Sequence, residues 1–277
     1  MRLGLRPYRT GYCRHPECTT MRGGRWGAVD FPMHAAVLDR GGELTVVDPG
    51  YAPRFLQATE PFPDRLYRWT TPATCPPEAA LAAQLAREGR LQAVRRVVVT
   101  HFHADHVAGL LDFPDAEIVC SRAAWDDLAG RRGFPAVRRG YLRALAPDAL
   151  ASRVRFVEDL PRGTPPGGLA SLETGWDLFG DGSLLLTPLP GHSAGQIGAA
   201  FAGQDGRTRL LAADAAWSAP ALAADRPPPW ITRAFLGAPG VYMQTWRRLR
   251  DALAADPELV VIPAHCTAAA EAEGALA

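Results

Sequence analysis

The alternation of apolar and polar positions divides the chain into short strand-like runs separated by turn signals. Residues 34–38 (HAAVL) and 43–47 (ELTVV) read as the two strands of a hairpin, joined by the turn residues Asp39-Arg40-Gly41-Gly42. Val97, Val98 and Val99 form a β-branched run that predicts a buried strand within residues 94–110. Residues 117–121 (EIVCS) predict another. In the second half, 183–190 (SLLLTPLP), 196–201 (QIGAAF), 208–214 (TRLLAAD) and 258–266 (ELVVIPAHC) repeat the pattern, the middle two as a hairpin-like pair.

Helical spacing is sparser. Residues 78–88 begin acidic, place Leu81 and Leu85 four apart and end before Gly89, a C-terminal capping residue. Residues 240–256 carry Met243, Trp246, Leu249 and Leu253 at near-helical spacing, and 122–147 predict helix in part. Residues 51–77, rich in proline and aromatics, read as an irregular cover. Residues 161–170 read as a loop without the character of a linker, so one large domain over 1–277 is expected.

A formal net charge of +1 leaves no electrostatic footprint for nucleic acid or an anionic membrane, so neither is an expected partner. No apolar run reaches the ~20 residues of a membrane span, and residues 1–12 lack the apolar core of a secretory signal. The five cysteines, Cys13, Cys18, Cys75, Cys120 and Cys266, are odd in number and mostly scattered. That argues against a disulfide framework and for a cytoplasmic location. Cys13, His15 and Cys18 could form a small zinc knuckle but lack a fourth ligand, and a loop near the mouth of a site is the better reading.

Candidate chemistry is concentrated immediately after the valine strand. His101, His103, Asp105 and His106 fall within six residues, and imidazoles with a carboxylate suit zinc, or less selectively iron or manganese. His101 and His103, two apart on an extended backbone, can leave on one side, while Asp105 and His106 can turn to a second point. That is the arrangement of a two-metal site. Three further strands each end in one more candidate, His192, Asp214 and His265, as expected for a site assembled from strand ends. Asp48, closing the hairpin before Pro49-Gly50, has two readings, a turn residue or a carboxylate that orients a metal-bound histidine. Arg131, Arg132, Arg138, Arg139 and Arg143 read as a solvated helix face or as a basic lip for an anionic substrate group.

His101-x-His103-x-Asp105-His106, followed by His192, Asp214 and His265, resembles the metal-binding pattern of the metallo-β-lactamase superfamily, with Asp48-x-Gly50 similar to its N-terminal part. The resemblance implies an α+β fold, an αββα sandwich of two β-sheets flanked by helices with metals at one edge. It implies His101, His103 and His192 on one metal, Asp105, His106 and His265 on a second, and Asp214 bridging them. Two zinc ions are the implied cofactors. A hydroxide shared by the cations would be the nucleophile, and Asp105 could receive or return a proton.

True β-lactamases of the superfamily typically carry cysteine where this chain has Asp214, and flavodiiron proteins carry glutamate where it has His103. The remaining branches are lactonases of the N-acyl-homoserine type, glyoxalase II-like thioesterases, tRNA-processing phosphodiesterases and mononuclear-iron persulfide dioxygenases. Length, the Gly11-Tyr12 segment and His192-Ser193-x-Gly195 are most similar to the lactonases. Those enzymes often place a tyrosine three residues past the bridging aspartate, where this chain has Trp217, which implies a different lactone or an ester. Trp217 itself reads either as core or as part of the cleft. The expected partner is a small-molecule substrate, with homodimer formation left open.

Overall fold

Neighbouring side chains along a strand face opposite ways, and in this protein that alternation builds the layers. The structure, a computed structural model, describes residues 1–165 and 169–274. One sheet contains β1 (Gly4–Pro16), β2 (Ala28–Arg40), β3 (Glu43–Val47), β4 (Ala73–Thr74), β5 (Val94–Val98), β6 (Glu117–Cys120) and β7 (Val154–Phe156). Their spatial order is β4-β1-β2-β3-β5-β6-β7. The other contains β8 (Arg162–Gly163), β9 (Gly175–Asp177), β10 (Leu184–Pro188), β11 (Ile197–Ala202), β12 (Thr208–Ala213) and β13 (Val260–Pro263). These run β13-β12-β11-β10-β9-β8. Both sheets are mixed: β3, β5, β6 and β7 pair in parallel, as do β12 and β13, and the other pairs are antiparallel.

Val98 and Val119 of the first sheet meet Leu186, Phe201 and Leu211 of the second in a core between the sheets. Val97 and Val46, one residue out of phase, face the opposite side and pack with Phe55, Leu81 and Leu85 from outer helices. Leu185 and Leu210 do the same in the second sheet, under Trp246 and Leu249 of the helix Pro239–Ala255. The layers are therefore helix, sheet, sheet, helix, the expected αββα sandwich. Among the described residues no helix is long and apolar enough to cross a membrane.

The hairpin of β2 and β3 pairs Arg40 with Glu43. Its two-residue turn needs positive φ at both Gly41 and Gly42, 66° and 93°, which glycine supplies without a steric cost. The expected helix at 78–88 is a 3₁₀ turn, Pro77–Ala79, followed by the helix Leu81–Arg87, and the expected irregular cover at 51–77 contains the helices Arg54–Ala58 and Arg65–Thr70. Neither extra helix has an oxygen-bearing cap that bonds its first turn, so the usual start signal is missing. The long β1 is also new: Cys13 and His15 lie in it and Cys18 in the helix Glu17–Thr20, so this stretch is not a loop. Of the loop expected at 161–170, Arg162–Gly163 pair as β8 and residues 166–168 lie outside the described residues.

Because Leu186 is fully buried between the sheets, Leu186→Ala removes transfer energy and leaves a cavity. We expect a loss of about 2–5 kcal/mol in urea unfolding with an unchanged denaturant slope. A loss below ~0.5 kcal/mol would show that the inter-sheet layer is not the core.

Candidate metal centre

The strands deliver their chemistry at one edge. Asp48 follows β3, Thr100 and His101 follow β5, Asp214 follows β12 directly, and His192 and His265 lie just past β10 and β13. Asp105 and His106 sit in the single-turn helix Ala104–Val107, entered from His103. Two residues at this edge hold left-handed backbone without being glycine, Asp48 at φ 51° and Ala213 at φ 48°. Each such conformation costs about 1–3 kcal/mol and persists only where its surroundings impose it. Ala213 leads directly into Asp214 of the cage, and Asp48 sets its own carboxylate behind the rings.

All seven candidate residues converge. His192 Nε2 lies 3.0 Å from His103 Nδ1 and 3.1 Å from Asp214 Oδ2. Asp214 Oδ1 is 3.1 Å from His106 Nε2 and 3.2 Å from His265 Nε2, and Asp105 Oδ2 is 3.5 Å from His265 Nε2. Their ligand atoms fall into two groups with spacing suited to a cation: His101, His103, His192 and Asp214, and Asp105, His106 and His265. None of the metal-type clusters among the described residues includes Cys13, His15 or Cys18.

The donor set fits divalent metal on its own geometry. His101 Nε2, His106 Nε2 and Asp214 Oδ1 are buried and make no hydrogen bond of acceptable geometry. Buried polar atoms are rarely left so, because each costs about 1–3 kcal/mol. Burial, with the neighbouring imidazoles, holds His101 and His103 well below the usual histidine range, so both rings are neutral as ligands must be. Burial also opposes charge on His106 and His265, yet Asp214 and Asp105 beside them override it and raise both. Asp214 is held well below the carboxylate range, against burial, by His265, His106 and His192. The cage therefore favours positive charge between its carboxylates, with imidazoles and carboxylate oxygens as donors, a set suited to zinc or a similar first-row cation.

The other ring nitrogens are fixed from behind. Asp48 Oδ2 takes His106 Nδ1 at 2.8 Å and the Thr100 hydroxyl at 2.6 Å, while Asp48 Oδ1 accepts from the Thr100 N–H at 2.8 Å. Thr100 Oγ1 lies 3.0 Å from His101 Nδ1. His265 Nδ1 donates to the Pro32 carbonyl at 2.6 Å, with Phe31 stacked on its ring. Asp48 is thus an orienting carboxylate rather than a mere turn residue, although it could also approach His101 and His106 as a ligand group. Thr100, Phe31 and the Pro32 carbonyl went unnoticed in the sequence. A hydroxyl directly before the first histidine was the one local signal.

A cavity of about 360 Å³ opens onto the cage, bordered by Cys13, His15, Tyr67, Trp217 and Phe235 among others. Trp217 belongs to both of its readings. It is 9% exposed, and its indole N–H donates to Asp214 Oδ2 at 2.9 Å. Tyr67, packed edge-on against Phe55, points its phenol toward Asp105, and burial with that charge keeps it protonated. Four of the five arginines turn out to be structural: Arg131 pairs with Asp127, Arg132 and Arg143 with Asp148, and Arg139 donates to the Leu236 carbonyl.

The description "metallo-beta-lactamase superfamily" belongs to a family model that matches residues 30–265. The chain belongs to this superfamily. A probable metallo-hydrolase of Mycobacterium tuberculosis is 30% identical over 205 residues, 72% of this chain and 61% of that protein. The chain thus spans about three-fifths of the length of the curated relatives it matches. Among solved structures, an N-acyl homoserine lactone hydrolase with N-hexanoyl-L-homoserine at its catalytic metal centre superposes with TM-score 0.72. That match is 16% identical and covers 98% of this chain and 97% of the other. The dizinc quorum-quenching lactonase AidC gives TM-score 0.61 at 16% identity, covering 96% and 90%. Lactonases are thus among the structural neighbours of this metallo-β-lactamase superfamily member.

Asp48 carries three hydrogen bonds into the cage, so Asp48→Ala frees the His106 ring and leaves Thr100 unpartnered. We expect metal affinity at one position to fall about 10- to 100-fold, measured by chelator competition. Unchanged affinity would reduce Asp48 to a turn residue.

Proposed function

We propose that this chain is a dinuclear metal-dependent hydrolase acting on a lactone or carboxylic ester, with His101, His103 and His192 holding one cation, Asp105, His106 and His265 the other, and Asp214 between them. The observation that carries the reading is the four-residue group of His101, His103, His192 and Asp214 meeting the three-residue group of Asp105, His106 and His265 at the buried Asp214, open to a cavity on one side. The dizinc lactonase among the structural neighbours supports it. Bound zinc, or iron or manganese in its place, supplies Lewis acidity and water deprotonated near neutral pH.

The chain's own residues do the rest. Asp214, with its Oδ2 fixed by the Trp217 indole, presents its two oxygens to opposite sides of the cage. Asp105 stands at the cavity wall, where its carboxylate accepts the proton of the attacking water and returns it to the departing alkoxide oxygen. Tyr67, protonated throughout the working range, donates its hydroxyl hydrogen to the acyl oxygen as charge develops there. The apolar walls, Phe31, Phe235 and Leu236, exclude water from the acyl group.

Asp214→Ala removes the shared carboxylate, and we expect metal content to fall from about two to one or fewer per chain with nearly all turnover lost. Elemental analysis beside a lactone and ester assay checks this; full metal and full rate would end the assignment. One iron and no zinc in the unsubstituted chain, with turnover of glutathione persulfide, would favour the dioxygenase branch instead. Tyr67→Phe keeps the ring and removes one donor, so kcat should fall about 100-fold while KM and metal content stay near their starting values.

A further inference from the structure

A second cavity of about 240 Å³ adjoins the first, sharing Tyr67, Thr70, Thr71, His103, Phe235 and Leu236 with it. Its remaining walls are Leu66, Phe134, Val137 and Gly140, with one cation, Arg138, at the lip. The annex therefore takes in both a histidine of the cage and an exposed guanidinium.

Its position is built into the chain. The helix Gly133–Arg138 is followed two residues on by Gly140, whose φ of 76° no side chain favours, and an added Cβ there would lie 2.8 Å from His103 Cδ2. The backbone thus passes the His103 ring where any side chain would collide with it. Arg139 then ties this segment to Leu236 across the cleft. Of the five arginines in the run, only the side chain of Arg138 makes no hydrogen bond or ion pair among the described residues. The acids nearby are engaged elsewhere: Asp127 by Arg131 and Tyr141, and Asp148 by Arg132 and Arg143.

Resting on the hydrolase reading above, we infer that the annex is a subsite for the acyl part of the substrate, and that this part is an apolar segment ending in an anionic group, a carboxylate, held by Arg138. Apolar walls select hydrocarbon and disfavour a charge along their length. A single unpaired guanidinium at the exposed lip favours a planar, bidentate anion at the terminus. The substrate class is accordingly an ester or lactone of a medium-length acid carrying a second, terminal carboxylate.

The test compares two phenyl esters of equal chain length, one ending in methyl and one in carboxylate, on metal-quantified protein. The expected result is a KM about 5-fold lower for the carboxylate-ended ester, narrowing as ionic strength rises. Arg138→Gln should bring the ratio of the two KM values near one, Arg138→Lys should restore part of it, and Arg132→Gln, which loses an ion pair with Asp148 outside the annex, should leave it as in the unsubstituted chain. Equal KM values at the outset, or a preference that survives Arg138→Gln, overturns the inference. If neither ester is hydrolysed, the hydrolase reading fails separately. Calorimetric titration with the free dicarboxylate and monocarboxylate then decides: binding of the dicarboxylate that depends on Arg138 upholds the subsite, and its absence refutes it.

Discussion

Everything at the functional edge depends on burying Asp214. A carboxylate taken out of water loses hydration that few protein environments replace. Here three imidazoles stand within 3.2 Å of its oxygens and an indole N–H donates to one of them. Their combined pull keeps the acid ionised despite burial. In return, the carboxylates raise His106 and His265 above their ordinary range. The cage is balanced only with positive charge at its centre, which is why its orphaned atoms fit a cation better than any arrangement of protons.

The sandwich serves that requirement. Strand ends are rigid because β-pairing fixes the residues before them, and period-two packing locks each strand's rotation about its own axis. Val97 and Val98 face opposite layers, so a shift of one residue in β5 would invert both and swing His101 out of the edge. The second sheet meets the first through the same inter-sheet layer, and His265 is tied back to the Pro32 carbonyl of β2. His34 of β2 likewise bonds Ala264 across this seam, and burial pushes its ring down to about 4, so it stays neutral there. Two sheets from opposite halves of the chain thereby hold one set of donors in register.

This explains which parts were legible beforehand. The valine and leucine strands announced themselves because both their faces are buried, and the histidine-rich turn stood out because so many donors rarely fall within six residues. The strand β1 was hidden: arginines at 6, 9 and 14 and a proline at 7 break its apolar rhythm, and a register shift between Arg9 and Gly11 breaks its period. It is held by pairing with β2 and β4 more than by its own pattern. The orienting roles of Thr100 and the Pro32 carbonyl were illegible for a different reason. One is a common residue and the other a backbone atom, and only the fold brings either beside a ring nitrogen.

The cage and its walls answer to different physics. Around the cage, His101, His106 and His265 are buried and bonded from behind, so a change at one position propagates to its partners. The walls are built differently: the helices Arg65–Thr70 and Trp230–Leu236 contain no fully buried residue, Tyr67 being half-buried, and Trp69, Trp230, Ile231 and Phe235 project from them into solvent or cleft. Such elements contribute little to the core and are free to change their side chains at small cost in stability. Trp217 sits at the junction of the two regimes. Its ring faces the cavity while its N–H is committed to Asp214, so it can shape the space for substrate without being available to bond it. Other donors stand on the walls instead: Tyr67, which borders both cavities, and Arg138, which borders the second.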